Sequence, residues 1–151
     1  MFVSYPALFY YEEAKEGYPE GFSVFFPDFE NCGGTQGDTI SEAIYNAADW
    51  LGLVLSDDIE NNREMPNPTP INLLDLEKNN PFKDDDFDYE YNKEKSFISM
   101  VSVELSEYLK DSEPVKKTLT IPKWADKLGK ELHLNFSQTL TDAIVYKKTH
   151  V

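Results

Sequence analysis

Basic charge is scarce in this chain, which holds 28 acidic against 14 basic residues among 151, a formal net charge of −14. Cysteine is scarcer still: Cys32 stands alone, which excludes an internal disulfide and, with no histidine near it in sequence, leaves a structural or incidental thiol. Apolar runs such as Ile98 to Val103 and Leu51 to Leu55 fall far short of the ~18–20 residues that a membrane-crossing helix needs. The opening stretch MFVSYPALFYYEE lacks a basic region and a small-residue cleavage site, so a cytoplasmic protein is expected. His133 and His150 sit in the tail without triad context and read as capping or surface residues. No spacing suits a metal or cofactor, and none is expected.

The charge that is present is polarised. Residues 1 to 114 hold 25 acidic and 7 basic side chains, whereas 115 to 151 hold 3 acidic and 7 basic. Fields of opposite sign favour a basic partner for the larger segment and an anionic one for the tail, although high net charge also serves solubility.

The aromatic stretch Phe2 to Tyr11 and the run GFSVFF from Gly21 predict two strands of a hairpin. Ile40, Ala43, Ile44, Ala47, Ala48, Leu51, Val54 and Leu55 recur at helical spacing behind a capping box of Thr39 and Glu42. Prolines 66, 68 and 70 then impose an extended connection. Residues 75 to 95 are dense in acid yet carry Phe82, Phe87, Tyr89 and Tyr91, so they either pack over the domain or offer anchors to a basic partner. SFISMVSVEL, from Ser96, predicts a buried strand that completes a ββαβ unit.

The tail reads as strand, helix, helix. Leu119 and Ile121 alternate with Lys116, Thr118 and Thr120 ahead of Pro122; Trp124, Ala125, Leu128 and Leu132 form one apolar stripe; Asn135 caps a second helix with Phe136, Leu140, Ala143 and Ile144 on one face. So short a unit buries too little apolar surface alone. Pairing the strand with its copy from a second chain makes a two-stranded ribbon over four helices, with Leu119, Ile121, Trp124, Leu128, Phe136, Leu140 and Ile144 as the dimer core. The outer ribbon face, Lys116, Thr118 and Thr120 from each chain, then fits a DNA major groove, while the helix opening at Asn135, Phe136 and Ser137, with Lys117, Lys123, Lys147 and Lys148, meets phosphates. An ordinary packing hairpin with solvated lysines is the plainer alternative.

The tail, Val115 to about Lys148, resembles the ribbon-helix-helix family of MetJ/Arc-type repressors through KTLTIP and LNFSQTL. In that resemblance the outward strand residues read bases and the opening of the second helix clamps phosphate. The stretch FSVFFPDFENCGGTQGDTISEAIYNAADWL resembles HicB-type antitoxins through Pro27, Asp28, Gly34, Gly37, Asp38, Thr39, Glu42 and Ala43. Tight turns with positive φ are the expected reason for the glycines. The resemblance implies an α+β protein: a partial RNase H-like domain over residues 1–106, a linker at 107–114, and a ribbon-helix-helix dimerisation domain at 115–151. It further implies a bacterial antitoxin that covers the RNA-binding and active surface of a HicA-type mRNA-cleaving toxin, and that represses its own operon as a homodimer or higher oligomer on operator DNA. Expected toxin contacts are Asp28, Glu30, Asp38, Asp49, Asp84, Asp85, Asp86, Phe87 and Asp88. Two alternatives stand beside it: a ligand-responsive repressor without a toxin partner, and a metal-dependent nuclease, against which the first strand, FVSYPALFYY, carries no carboxylate.

Overall fold

A computed structural model describes residues 1–30, 33–110 and 114–149; the readings of Cys32 and His150, and part of the expected linker, lie outside them. These residues fall into two compact units, Met1–Leu109 and Lys110–Val151. No described helix is long and apolar enough to cross a membrane.

The first unit is built on one antiparallel sheet. Strand β1 (Phe2–Glu12) pairs with β2 (Gly21–Phe25) on one side and with β4 (Asn92–Glu104) on the other, and β3 (Gly34–Gly37) adds to β2, giving the order β3-β2-β1-β4. Helix α1 (Ile40–Glu60) lies between β3 and β4 in sequence. The expected ββαβ order therefore gains a strand: GTQG has neither the length nor the β-branched content that marks a strand in sequence. Pro6 sits in the half of β1 that pairs only with β4, where one side of the strand is free. A bulge between Phe9 and Tyr11 interrupts the β1–β4 register. There the Tyr11 N–H donates to Ser96 Oγ at 2.9 Å, and that hydroxyl donates to the Asn92 carbonyl at 2.7 Å, replacing lost ladder bonds.

Strand alternation divides β1 between two layers. Tyr5, Ala7, Phe9 and Tyr11 face the main core with Phe22, Val24, Val101, Val103 and the inner stripe of α1, namely Ala43, Ala47, Leu51 and Leu55. Pro6, Leu8 and Tyr10 point the other way and are equally buried. Their cover at the Tyr10 end is the acidic, aromatic segment: Phe82 meets Phe25 edge-on at 5.4 Å, Tyr89 and Tyr91 meet Tyr10 at 5.6 and 4.8 Å, and Tyr10 Oη donates to the Leu76 carbonyl at 2.6 Å. Of the two expectations for residues 75 to 95, packing over the domain is the observed one for Phe82, Tyr89 and Tyr91, which turn inward, while the carboxylates and Phe87 stay exposed.

Helix α1 begins at the predicted cap, where Thr39 Oγ1 accepts from the Glu42 N–H at 3.2 Å; the return bond from the Glu42 carboxylate goes one residue further back than a capping box has it, to the Asp38 N–H at 2.9 Å. It runs past Leu55 to Glu60 and ends at Asn62, whose φ of 54° lets the Arg63 N–H reach the Asp58 carbonyl at 2.8 Å. Strand β4 is not a uniformly buried strand: Val101 and Val103 face the core, while Met100 and Ser102 lie on the opposite face of the sheet, which is uncovered there.

The glycine-rich passage works differently from the expectation. Gly17 is the only described glycine with positive φ. Gly34 and Gly37 are required by close approach instead: a Cβ would stand 2.0 Å from the Val24 carbonyl oxygen at Gly34 and 2.4 Å from the Ala43 nitrogen at Gly37. These contacts press β3 onto β2 and the start of α1 onto β3.

In the second unit, α2 (Lys123–Glu131) follows Pro122 and α3 (Phe136–Thr149) follows Asn135, whose Oδ1 accepts from the Gln138 N–H at 3.2 Å. Residues 114–122 belong to no strand, since a strand needs a neighbour to bond and this chain supplies none there. His133 ends α2 at φ 53°, with its own N–H on the Lys130 carbonyl at 3.1 Å and the Leu134 N–H on the Gly129 carbonyl at 2.9 Å. Gly129 lies under the Phe136 ring, which a Cβ would meet at 2.5 Å.

Gly34→Ala tests the close approach. The added methyl must part β3 from β2, so urea unfolding of the first unit should show a loss of about 2 kcal/mol or more. The same change at Gly17, which touches nothing within 4 Å but has φ 84°, should cost about 1 kcal/mol.

Candidate functional site

The expected acidic contacts do not form one patch. Asp28 and Glu30 join Asp58 and Glu64 around a cleft of about 610 Å3, whose other walls are Phe29, Trp50, Val54, Arg63, Met65, Pro66 and Asn67. Asp38 instead borders a second cleft, of about 550 Å3, with Glu12, Glu13, Lys15 and Glu20 at the turn end of the β1–β2 hairpin. Asp49 lies on α1 and accepts a hydrogen bond from Tyr108 Oη at 3.1 Å. Asp84, Asp85, Asp86 and Asp88 are exposed on the segment that covers the back of the sheet. Phe87, half exposed, leans on Phe82 at 5.5 Å.

Asp28 has a structural task as well. Its Oδ2 accepts from the Thr69 N–H at 3.0 Å and its Oδ1 from Thr69 Oγ1 at 2.5 Å, which anchors the proline segment across 41 residues of sequence. Tyr5 Oη fixes the same segment by donating to the Pro66 carbonyl at 2.6 Å. Burial, reinforced by the Asp28 and Asp58 charges, pushes the Tyr5 hydroxyl up to about 12. Trp50 is held by Phe26, stacked at 4.9 Å, and by Phe29, edge-on at 5.4 Å.

Asp58 and Glu64 were absent from the expected contacts, although Trp50, Val54 and Asp58 share one face of α1 at i, i+4 and i+8. Arg63 binds both carboxylates of its helix end, through Nε to Asp58 Oδ1 at 2.7 Å and through a terminal nitrogen to Asp57. Glu30 and Glu64 are exposed and make no hydrogen bond or ion pair among the described residues. The hairpin cleft is more fully paired: Glu13 meets Asn92 and Lys95, which hold its carboxyl below the usual range; Lys15 meets Glu90; and Glu12 accepts from Ser23 Oγ at 2.5 Å.

In the second unit every residue expected to read bases or phosphates lies at the surface or near it. Lys116, Lys117, Thr118, Thr120, Lys123, Asn135, Phe136, Ser137 and Lys147 are exposed and Lys148 is half-buried. So are the expected core residues: Leu119 is 63% exposed, Trp124 70%, Leu128 48% and Ile144 61%, with Ile121, Phe136 and Leu140 above a third. Only Gly129 is buried in either helix among the described side chains. The cap at Asn135 serves the Gln138 N–H, so the first N–H groups of α3 remain directed outward from its N-terminus. Among the described residues no group of three His, Cys, Asp or Glu could hold a metal ion.

Comparison with known proteins places this architecture. A family model described as "HicB_like antitoxin of bacterial toxin-antitoxin system" matches residues 4–79. A chain of the solved toxin-antitoxin complex from Streptococcus pneumoniae is 59% identical, with 98% of this chain and 100% of that one covered and a TM-score of 0.69. The crystal structure of the antitoxin HicB from Burkholderia pseudomallei shares the fold at 20% identity, with 94% and 96% of the two chains covered and a TM-score of 0.60. No curated protein sequence matches.

The Tyr5 anchor is open to titration. Its hydroxyl ionises near 10 when unfolded and near 12 when folded, so it stabilises the fold fully below pH 10 and loses that contribution as the pH rises from 10 to 12. Thermal melting over that window should fall less steeply in Tyr5→Phe than in the wild type. At pH 7 the variant should be weaker by about 1 kcal/mol, for the unpaired Pro66 carbonyl.

Proposed function

The chain belongs to the HicB-like antitoxin family, and from that membership we propose that it neutralises a HicA-type mRNA-cleaving toxin and represses its own operon. The observation that carries the reading is the division of labour between its two units. The first is a packed sheet and helix with carboxylates spread over its surface; the second is basic and leaves its apolar residues uncovered.

An acidic surface suits a toxin that binds RNA, because both present anionic groups to the same basic face. Carboxylates on the antitoxin steer encounter and exclude the substrate, while aromatic and aliphatic groups at the centre of the contact slow dissociation. The first unit in this reading is a partial RNase H-like scaffold without catalysis. Its central strand β1 contributes only Glu12 as a carboxylate, and that group is bonded to Ser23.

The second unit fits a ribbon-helix-helix dimer. Two copies of residues 115–121 paired antiparallel would satisfy the backbone that a single chain leaves open, and would bury Leu119, Ile121, Trp124, Leu128, Phe136, Leu140 and Ile144 against their counterparts. Lys116, Thr118 and Thr120 then face the major groove of operator DNA, with Asn135, Phe136, Ser137 and the flanking lysines on phosphates. The protein acts as a cytoplasmic homodimer, alone or paired into a larger oligomer, without a cofactor.

Two activities on two units should separate. Thr118→Ala with Thr120→Ala should abolish binding to a fragment of the operon's own upstream DNA in a mobility-shift assay, yet still rescue growth when the toxin is co-expressed. Retained DNA binding would remove the base-reading assignment. Loss of rescue as well would remove the division between units.

A further inference from the structure

The cleft between the C-terminal half of α1 and the proline segment has a composition that selects one kind of occupant. Its floor is apolar, with Phe29, Trp50, Val54 and Met65, and its rim carries Asp28, Glu30, Asp58 and Glu64 against a single cation, Arg63. A purely apolar ligand would strand carboxylates at its edge, and an anion would meet four like charges. A long side chain with a methylene stem and a cationic head satisfies both zones at once, with the stem against the floor and the head at the rim. We propose that this cleft seats an arginine or lysine side chain projecting from the toxin, a subsite that rests on the antitoxin reading above and gives it a place.

Three features support that occupant. Arg63 shows that a guanidinium is compatible with this rim, since it lies there bonded to Asp58 and Asp57. Glu30 and Glu64 are exposed and without a partner among the described residues, so the rim retains unspent acceptors for a second cation. The walls are fixed in advance: Trp50 is stacked on Phe26, Asp28 holds Thr69, and Tyr5 holds Pro66. A preformed site loses little conformational freedom on binding, which favours a slow off-rate. The hairpin cleft is acidic too, but Glu13 and Glu12 there are already bonded within the chain.

The test uses the full chain and the toxin of the Streptococcus pneumoniae complex as probe, with association and dissociation followed by surface plasmon resonance. Glu30→Gln with Glu64→Gln removes two exposed rim charges without touching the core. Glu16→Gln with Glu94→Gln removes two exposed charges elsewhere on the same unit. The rim pair should weaken binding about tenfold or more, chiefly through faster dissociation, whereas the control pair should change affinity by about threefold at most, through association and only at low salt. Equal effects from the two pairs, or none from the rim pair, overturn the subsite while leaving the antitoxin reading in place. If the wild-type chain binds neither that toxin nor the small basic protein encoded beside its own gene, the antitoxin reading fails and the subsite with it. Circular dichroism of both variants establishes that each is folded.

Discussion

Everything in the first unit depends on covering β1 from both sides. A strand with buried side chains at seven consecutive positions, Tyr5 to Tyr11, cannot sit on an ordinary two-layer sheet with one face in water. One face is met by α1 in the expected way. The other is met by a segment with almost no regular structure, which supplies rings rather than a helix stripe. The acid in that segment follows from the same geometry: it must present its other side to solvent, and carboxylates keep an irregular, ring-rich stretch from becoming an exposed apolar patch.

This arrangement ties distant parts of the chain into one unit. Tyr10 joins the first strand to Leu76, Tyr89 and Tyr91; Tyr5 and Asp28 join it and the loop after β2 to the proline segment. The proline segment is thereby a fixed wall of the cleft rather than a loose connection. Two carboxylates that looked free in sequence, Asp28 and Asp49, are engaged with Thr69 and Tyr108. Glu30 and Glu64, in contrast, keep their acceptor capacity for something outside the chain. In the proposed reading, affinity for a basic toxin would rest on a few placed groups within a wider acidic field, the usual separation between steering and anchoring.

The second unit is the opposite case. Its helices have good local signals, with Pro122 before α2, Asn135 before α3, a left-handed His133 between them, and exposed i,i+4 pairs such as Lys130 with Asp126 at 2.8 Å, worth only a few tenths of a kcal/mol. What it lacks is anything to bury its apolar residues. Local propensity shapes such a unit without stabilising it, and the ribbon proposed here is the partner that would.

Sequence by itself determined whatever depends on near neighbours. The periodicity of Ile40 to Leu55, the Thr39 and Asn135 caps, the aromatic strand-forming composition of Phe2 to Tyr11 and the polarity of charge are properties of adjacent residues, and each was legible. The antitoxin family was legible too, because the Pro27–Asp28 and Gly37 to Ala43 stretches are contiguous. Tertiary structure alone decided what depends on residues far apart. It made GTQG a strand, because β2 offers an edge and glycine lets the backbones meet. It turned Phe82, Tyr89 and Tyr91 inward, because β1 has a second apolar face to cover. It also gathered Asp28, Glu30, Trp50, Asp58 and Glu64 around one cleft, since no spacing rule relates a loop after β2 to the end of α1; only the fold sets that distance.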